Sequence, residues 1–269
     1  MPLCFLDADS DPVAQTIPPS LTALGRRVLP ERIDVNGRTY DRRTVFKNDF
    51  FAVTALYEGE AGKVILKVHR QASFLLVPLR WVGRLLAARE SACLERLRGV
   101  EGIPSLLGRW GPTGIVREFI EGHPLHRGER VADDFHARLR ALVEAMHARG
   151  LAYVDLEKAE NVLVGDDGLP YLFDFQIAWN WPASWGGELW PVRRLRAWFQ
   201  RGDLYHLGKL HRRTRPDQLS GEALAATYRR PRFVRVYRFL TWPFLWLRRR
   251  ALDRVAPRET GAERGRIVP

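Results

Sequence analysis

Cysteine is scarce in this chain of 269 residues, which contains only Cys4 and Cys93. No C-x-x-C motif occurs, and the seven histidines do not stand at spacings typical of a metal site. Disulfide frameworks and zinc sites both need repeated ligands of this kind. We therefore expect neither, and the cysteine content is typical of a protein in a reducing compartment.

Long apolar runs without charge are also missing. A helix that spans a bilayer needs about 20 mainly apolar residues, whereas the best candidate, 239–247, is much shorter and contains Pro243. The first residues carry Asp7, Asp9 and Asp11 and no basic stretch followed by an apolar core, which argues against a secretory signal. We therefore expect a cytoplasmic protein.

Positive charge is confined to the last third of the chain. Residues 1–182 hold 23 Lys and Arg against 24 Asp and Glu, but 183–269 hold 20 against 7, a net charge of +13. Nineteen of those 20 cations are arginines, whose planar guanidinium suits phosphate groups. This pattern predicts that the protein binds an anionic partner. One such partner is the inner membrane surface, which the protein would contact peripherally. A solvated arginine-rich surface without a partner is the alternative interpretation.

Apolar patterning divides the chain into a strand-rich part and a helical part. Two short apolar runs, 50–57 and 64–68, flank a glycine-containing turn and predict a β-hairpin. The later patterns predict a helix over 81–97, a strand over 114–120, a helix from about 135 that ends before Gly150, and short strands at 162–164 and 169–173. We therefore predict a loop-rich N-terminal extension over 1–40, a β-rich lobe over 41–121, and a helical lobe over 122–269 with a basic C-terminal segment.

One carboxylate interrupts an apolar helical stripe. Leu86, Cys93, Leu94 and Leu97 recur at helical steps, and Glu90 lies in the middle of them. An unpaired buried charge costs several kcal/mol, so Glu90 requires a cation from elsewhere in the fold.

Polar residues gather in two loops that follow the second predicted helix. Asp155, Lys158 and Asn161 lie in the first loop, and Asp174 follows a short strand. Phosphoryl transfer needs a carboxylate that orients the attacking hydroxyl, and side-chain oxygens that hold Mg²⁺ on the phosphates. Upstream, the strand Ile65-Leu66-Lys67 ends in a lysine that is a candidate for contact with phosphate.

These elements, in this order, resemble the protein-kinase superfamily. The resemblance is strongest to the small bacterial kinases related to RIO-type and lipopolysaccharide (Kdo) kinases, a serine/threonine kinase-like family. It covers about residues 40–210 and rests on the strand lysine, the helix glutamate, the Asp155-to-Asn161 loop and Asp174-Phe175-Gln176. It implies a two-lobed α+β protein-kinase-like fold with ATP and Mg²⁺ as cofactors.

The resemblance also implies a role for each matched residue. Lys67 corresponds to the lysine that binds the ATP phosphates, and Glu90 to its ion-pair partner. Asp155 corresponds to the catalytic base and Lys158 to the loop lysine that meets the γ-phosphate. The implied metal ligands are Asn161 and Asp174, and Asp203 resembles the buried aspartate that tethers the catalytic loop.

The chain departs from the family pattern at several positions. No G-x-G-x-x-G motif precedes Lys67, so we expect the hairpin over 47–54 to cover the phosphates through backbone N–H groups. Tyr153 stands where protein kinases usually carry histidine, and Gln176 replaces a glycine. The step from Asp155 to Asn161 is one residue longer than usual.

The sequence therefore predicts an ATP-dependent phosphotransferase that acts on a hydroxyl group. The acceptor is either a lipopolysaccharide core sugar, favoured by the basic C-terminal third, or protein Ser/Thr. Two alternatives are a pseudokinase scaffold, which the departures above would suit, and a basic nucleic-acid-binding protein using 183–269. Nucleic acid is disfavoured because the apolar positions within 233–247 fit the core face of a helix better.

Overall fold

A computed structural model of the chain describes residues 19–74, 77–126, 128–181 and 186–228. The chain divides into one unit that ends at Gln218 and a second unit that begins at Leu219. Residues 229–269, which include most of the predicted basic C-terminal segment and the apolar positions within 233–247, lie outside the described residues, and so do residues 1–18 of the predicted extension.

The first lobe is built on a six-stranded antiparallel sheet with the strand order β1-β2-β3-β4-β6-β5. The strands are β1 (Arg32–Val35), β2 (Arg38–Asn48), β3 (Ala52–Gly59), β4 (Gly62–His69), β5 (Leu106–Trp110) and β6 (Gly114–Glu118). The hairpin predicted from 50–57 and 64–68 is β3 and β4, in which Gly59 lies opposite Gly62.

The sheet begins earlier than the sequence analysis expected. β1 and the start of β2 fall within 1–40, so the expectation of loop-rich structure is wrong for 32–40. Asn36 and Gly37 join the two strands with φ values of 51° and 76°. An Asn-Gly pair with two positive φ angles is the preferred two-residue hairpin turn, so Asn36-Gly37 indicates this turn in the sequence itself.

The two faces of the sheet differ because side chains alternate along each strand. One face packs Val53, Tyr57, Leu66, Val68 and other apolar side chains into a core. Lys67, between Leu66 and Val68, therefore points to the opposite face.

Helix α1 (Arg80–Arg96) packs on that opposite face of β4, close to its predicted bounds of 81–97. The approach is very tight at Gly83, where an added Cβ would overlap the backbone carbonyl oxygen of Arg70. Only glycine permits this contact without a shift of the helix. Among the residues that α1 buries are Ala87, Glu90 and Leu94.

The second lobe is mainly helical. Its elements are β7 (Gly122–Pro124), α2 (Phe135–Ala148), β8 (Val162–Gly165), β9 (Pro170–Leu172) and α3 (Trp190–Thr214). Short 3₁₀ helices lie at Pro19–Leu21, Ala159–Asn161 and Pro216–Gln218, and α4 (Gly221–Tyr228) belongs to the second unit. None of the helices within the described ranges has the length and apolar character needed to cross a bilayer.

The end of α2 fixes where the polar loop begins. Gly150 has a φ of +77°, its N–H donates to His147 O at 2.9 Å, and the N–H of Leu151 donates to Met146 O at 3.3 Å. This is a Schellman motif, which stops a helix and turns the chain sharply. A β-rich lobe followed by a helical lobe is the two-lobed α+β architecture predicted from the sequence.

Candidate active site

Lys67 is the cation that Glu90 requires. Its Nζ lies 2.9 Å from Glu90 Oε2, and the Glu90 carboxylate is fully buried. The pair forms because β4 points Lys67 toward α1, and the contact at Gly83 brings α1 close to the strand. The ion pair predicted from the helical stripe is therefore confirmed.

Lys67 also pairs with Asp174, whose Oδ1 lies 2.9 Å from the same Nζ. Burial alone would lower the pKa of Lys67, but attraction to Asp174 and Glu90 outweighs burial and raises it. Burial likewise works against the ionised form of both carboxylates, yet the charge of Lys67 leaves the pKa of Glu90 and of Asp174 below its ordinary value. All three groups are therefore charged at neutral pH.

The loop from Asp155 to Asn161 folds back on the Asp155 carboxylate. Asp155 Oδ2 accepts hydrogen bonds from Lys158 Nζ at 2.7 Å and from Asn161 Nδ2 at 2.9 Å. Burial lowers the pKa of Lys158, but its bond to Asp155 and the charges of Asp155 and Asp174 raise it overall. Lys158 is thus within electrostatic reach of both aspartates, and the structure brings the predicted loop residues together.

Asp203 anchors the start of this loop from α3. Its buried carboxylate accepts the N–H of Tyr153 at 2.7 Å and the N–H of Val154 at 2.8 Å, and it also contacts His147 Nε2 at 2.9 Å. Val154 has a φ of +72°, a conformation that β-branched residues rarely adopt. The predicted tether is therefore present, and it holds a strained backbone in place.

Tyr153, which replaces the usual histidine, packs between the two loops of the site. Its hydroxyl donates to Asn161 O at 3.3 Å, and its ring meets Phe175 edge to face at 5.3 Å. Burial raises the pKa of Tyr153 well above its ordinary value, so the hydroxyl stays neutral. The Tyr153 side chain therefore contributes packing and hydrogen bonding, not charge.

The turn between β2 and β3 is closed by its own aspartate. Asp49 Oδ1 accepts the backbone N–H groups of Phe51 at 2.8 Å and Ala52 at 2.9 Å, and the N–H of Asp49 donates to Ala52 O at 3.0 Å. The expectation that backbone N–H groups of the 47–54 hairpin cover phosphates is therefore wrong for these three amides. Aspartate commonly bonds the backbone two residues ahead, and here that local bond uses the donors.

Two further buried residues of the site were missed by sequence analysis. His69 is fully buried, and its Nε2 lies 3.2 Å from Glu90 Oε2. The guanidinium of Arg117 lies 5.4 Å from the ring centre of Phe173 and donates to Glu118 O at 3.1 Å. Strand alternation from Lys67 could have indicated His69, whereas Arg117 is placed by the β4–β6 register.

The oxygen ligands suit a magnesium ion that is held together with a nucleotide. Within the described ranges no group of three His, Cys, Asp or Glu residues could hold a metal ion. Mg²⁺ is usually bound through one or two carboxylates, substrate phosphates and waters, not by a protein cage. Asp174 offers a carboxylate, and Asn161 uses its NH₂ group for Asp155, so the Asn161 amide oxygen takes no part in that bond.

No protein-family model matches the chain, and no curated protein sequence matches it either. Solved structures with a similar fold include two of a Rio2 kinase. The complex of the Rio2 kinase from Chaetomium thermophilum described as ADP/Mg²⁺-phosphoaspartate has a TM-score of 0.48 and 19% identity over 68% of this chain. A second structure of the Rio2 kinase from Chaetomium thermophilum has a TM-score of 0.47 and 18% identity over 66% of this chain. The match spans 59% of the length of each of those chains, and these likenesses concern the fold.

Proposed function

We propose that the protein is an ATP-dependent phosphotransferase that moves the γ-phosphate of ATP to a hydroxyl group. The observation that carries the proposal is the buried cluster of Lys67, Glu90 and Asp174. A lysine held between two carboxylates at 2.9 Å from each is positioned before any ligand arrives. Such positioning, together with charge stabilisation, is the main source of catalysis in phosphoryl transfer.

The nucleotide would be held by the charged groups of this cluster. Lys67, kept in place by Glu90, binds the phosphates, while the oxygens of Asp174 and Asn161 hold Mg²⁺. When bound, Mg²⁺ neutralises negative charge on the phosphates. Tyr153 and Asp203 act indirectly, because they fix the loop that carries Asn161.

Asp155 is the proposed base. Lys158 and Asn161 both donate to one oxygen of its carboxylate, which fixes its orientation and leaves the other oxygen for the acceptor hydroxyl. A carboxylate in this position orients the hydroxyl and takes its proton. The ammonium group of Lys158 is then near the transferred phosphate.

The surface of α3 favours an anionic glycolipid as the acceptor, such as a lipopolysaccharide core sugar at the inner membrane surface. The helix holds seven Lys and Arg but one acid, Asp203, which is buried. Trp190 is 68% exposed beside Arg193 and Arg194, and among the described residues neither arginine forms an ion pair. Exposed cations beside an exposed aromatic side chain suit an anionic lipid surface. Protein Ser/Thr is the second candidate acceptor, because the same residues would serve it.

Transfer of labelled phosphate from ATP tests the proposal on two acceptor pools in parallel. We expect label in purified envelope lipids, and less in a protein mixture. Label in protein alone would favour the Ser/Thr acceptor. The Asp155→Asn variant should transfer label to either pool at least about 10² times more slowly. ATP binding without any transfer by the unaltered protein would identify a scaffold.

A further inference from the structure

Lys47 and Lys67 lie in one row across three neighbouring strands. Lys47 on β2 is opposite Thr54 on β3, and Thr54 is opposite Lys67 on β4. Residues directly opposite each other in an antiparallel sheet point to the same face, with their Cβ atoms about 4.5–5.5 Å apart. Lys47 therefore shares the face of Lys67, two strands away.

A β-bulge in β2 is responsible for this placement. Val45 lies opposite Ala55 and Lys47 lies opposite Thr54, so Phe46 is an extra residue between two successive pairs. If regular pairing continued from Val45 and Ala55 without a bulge, Phe46 would lie opposite Thr54, and Lys47 would lie opposite Val53 and point to the apolar core. Bulges often re-aim a side chain next to a functional site, because a shift of one residue changes the face.

Asp49 is the anion that Lys47 meets in this structure. Lys47 Nζ lies 2.9 Å from Asp49 Oδ2, while Asp49 Oδ1 accepts the amides of Phe51 and Ala52. The pair is exposed on the lysine side, with 65% of the Lys47 side chain accessible. Exposed ion pairs are weak, so a more highly charged anion can compete for Lys47.

We propose that Lys47 is a second lysine that binds the terminal phosphates of a nucleoside triphosphate, and that Asp49 is its counter-ion when no nucleotide is bound. This inference rests on the proposed function. The chain has no glycine-rich phosphate loop, and the amides of Phe51 and Ala52 are engaged by Asp49. A lysine side chain offers three donors and a full charge in their place.

Titration calorimetry with ATP, ADP and adenosine tests the assignment, at fixed Mg²⁺ and salt. Lys47→Met should weaken ATP binding by about tenfold, as expected for loss of a hydrogen bond to a charged group, and ADP binding by less. Adenosine binding should not change, because adenosine has no phosphate. Arg32→Ala is the matched control. Arg32, on β1, is like Lys47 an exposed cation in an ion pair: its side chain is 67% exposed, and it lies 2.7 Å from Asp41. The control should leave all three affinities unchanged.

A double-mutant cycle tests the role of Asp49. Asp49→Asn keeps an oxygen for the amides of Phe51 and Ala52 but removes the charge that competes for Lys47. It should tighten ATP binding in the presence of Lys47 and have no effect in the Lys47→Met background. Equal gains in both backgrounds would show that Asp49 repels the nucleotide directly and is not the counter-ion of Lys47.

Three results would overturn the inference. If Lys47→Met leaves ATP affinity unchanged while the unaltered protein transfers phosphate, the proposed function stands and Lys47 has no part in it. If Lys47→Met weakens adenosine and ATP binding equally, the change has disturbed the fold of the turn and not a phosphate contact. If the unaltered protein binds no ATP, the inference and the proposed function both fail.

Discussion

Asp203 holds Val154 in a left-handed backbone conformation. The N–H of Val154 donates to Asp203 Oδ1 at 2.8 Å, and the φ angle of Val154 is +72°. This conformation is unfavourable for a β-branched residue, with a cost on the order of 1–3 kcal/mol that the surrounding contacts must offset. Asp155 follows directly, so the strain fixes the direction in which the proposed base leaves the loop.

At Val154, glycine should give a more stable protein than alanine, which is the reverse of the usual order. Within helices and strands, glycine normally lowers the stability of the folded state by about 0.5–1 kcal/mol relative to alanine, but it adopts positive φ without strain. We expect Val154→Gly to have a higher free energy of unfolding than Val154→Ala, by about 1 kcal/mol. Urea titration of both variants measures the difference. A more stable Val154→Ala would contradict a left-handed conformation at this position.

The two aspartates of the site should differ in their kinetic effects. Asp155→Asn should lower turnover by about 10² or more with little effect on ATP binding, because it removes the proton acceptor alone. Asp174→Asn should weaken Mg²⁺-ATP binding itself, because it removes a metal ligand and a partner of Lys67. Single-turnover transfer and nucleotide titration separate the two effects. Equal losses of affinity in both variants would argue against the assigned roles.

Gly83→Ala should destabilise the protein although it replaces glycine within a helix. Alanine is normally about 1 kcal/mol better than glycine there. At Gly83, however, the new Cβ would overlap Arg70 O and push α1 away from β4. We expect the free energy of unfolding to fall by about 1–3 kcal/mol. Ala88→Gly, at an exposed position of α1, is the control and should lower stability by about 1 kcal/mol through helix propensity alone. Gly83→Ala and Ala88→Gly are opposite substitutions, yet we expect each to lower stability. A stabilising Gly83→Ala would contradict the close approach.

The buried cluster should make stability depend on pH in acid. The pKa values of Glu90 and Asp174 are lowered by folding, so in acid the unfolded chain binds more protons at these groups. Their contribution is present above the unfolded values, about pH 4, and is lost as pH falls through the lower folded values. The pKa of Lys67 is raised, so its contribution is present below about pH 10.4 and is lost as pH rises through the folded value.

Glu90→Gln should therefore flatten the acid part of the stability curve. The variant keeps the Lys67–Asp174 pair but lacks one of the two carboxylates with a lowered pKa. Urea midpoints between about pH 3 and pH 7 should fall less steeply for the variant than for the unaltered protein. Parallel curves would mean that Glu90 is not ionised in the folded state.

The cationic face of α3 should bind anionic vesicles. Cations near an anionic lipid surface contribute about 1 kcal/mol each, so Arg193→Ala with Arg194→Ala should lower the bound fraction about tenfold or more. Raised salt should release the unaltered protein, and neutral vesicles should not bind it. Arg140→Ala, which removes a cation paired with Glu144 at 2.8 Å on α2, is the control and should bind normally. Equal binding of all variants would contradict the proposed surface. The arginines at 248–250 add to the basic C-terminal segment, and they lie outside the described residues.

The Lys67–Glu90 pair could be predicted because it depends on local periodicity. A helical stripe identifies which residues are buried, and a buried carboxylate demands a cation, so Glu90 and Lys67 are linked by energetics as well as by family resemblance. Asp203 was carried over from the resemblance alone. Its hydrogen bonds to Tyr153 and Val154 depend on how α3 packs, which no local pattern specifies.

The position of Lys47 could also not be predicted, and the reason differs from that for Asp203. Its face of the sheet depends on the bulge at Phe46, and sequence alternation alone would assign it to the wrong face. The engagement of the Phe51 and Ala52 amides was visible in principle, because Asp49 begins the turn. The family pattern implies backbone donors for phosphate at this turn, whereas the local aspartate takes those donors itself.

Lys67 pairs with two carboxylates at once, Glu90 and Asp174. In the proposed site, Asp174 would compete with a phosphate group for Lys67, and Lys67 would compete with a divalent cation for Asp174. Under the proposed function, the Lys67–Asp174 contact at 2.9 Å would link two binding events. Each ligand would relieve the contact that opposes the other, so the two affinities would rise together by the same factor. We therefore expect nucleotide and Mg²⁺ to bind with positive cooperativity through this single lysine, without a change of fold.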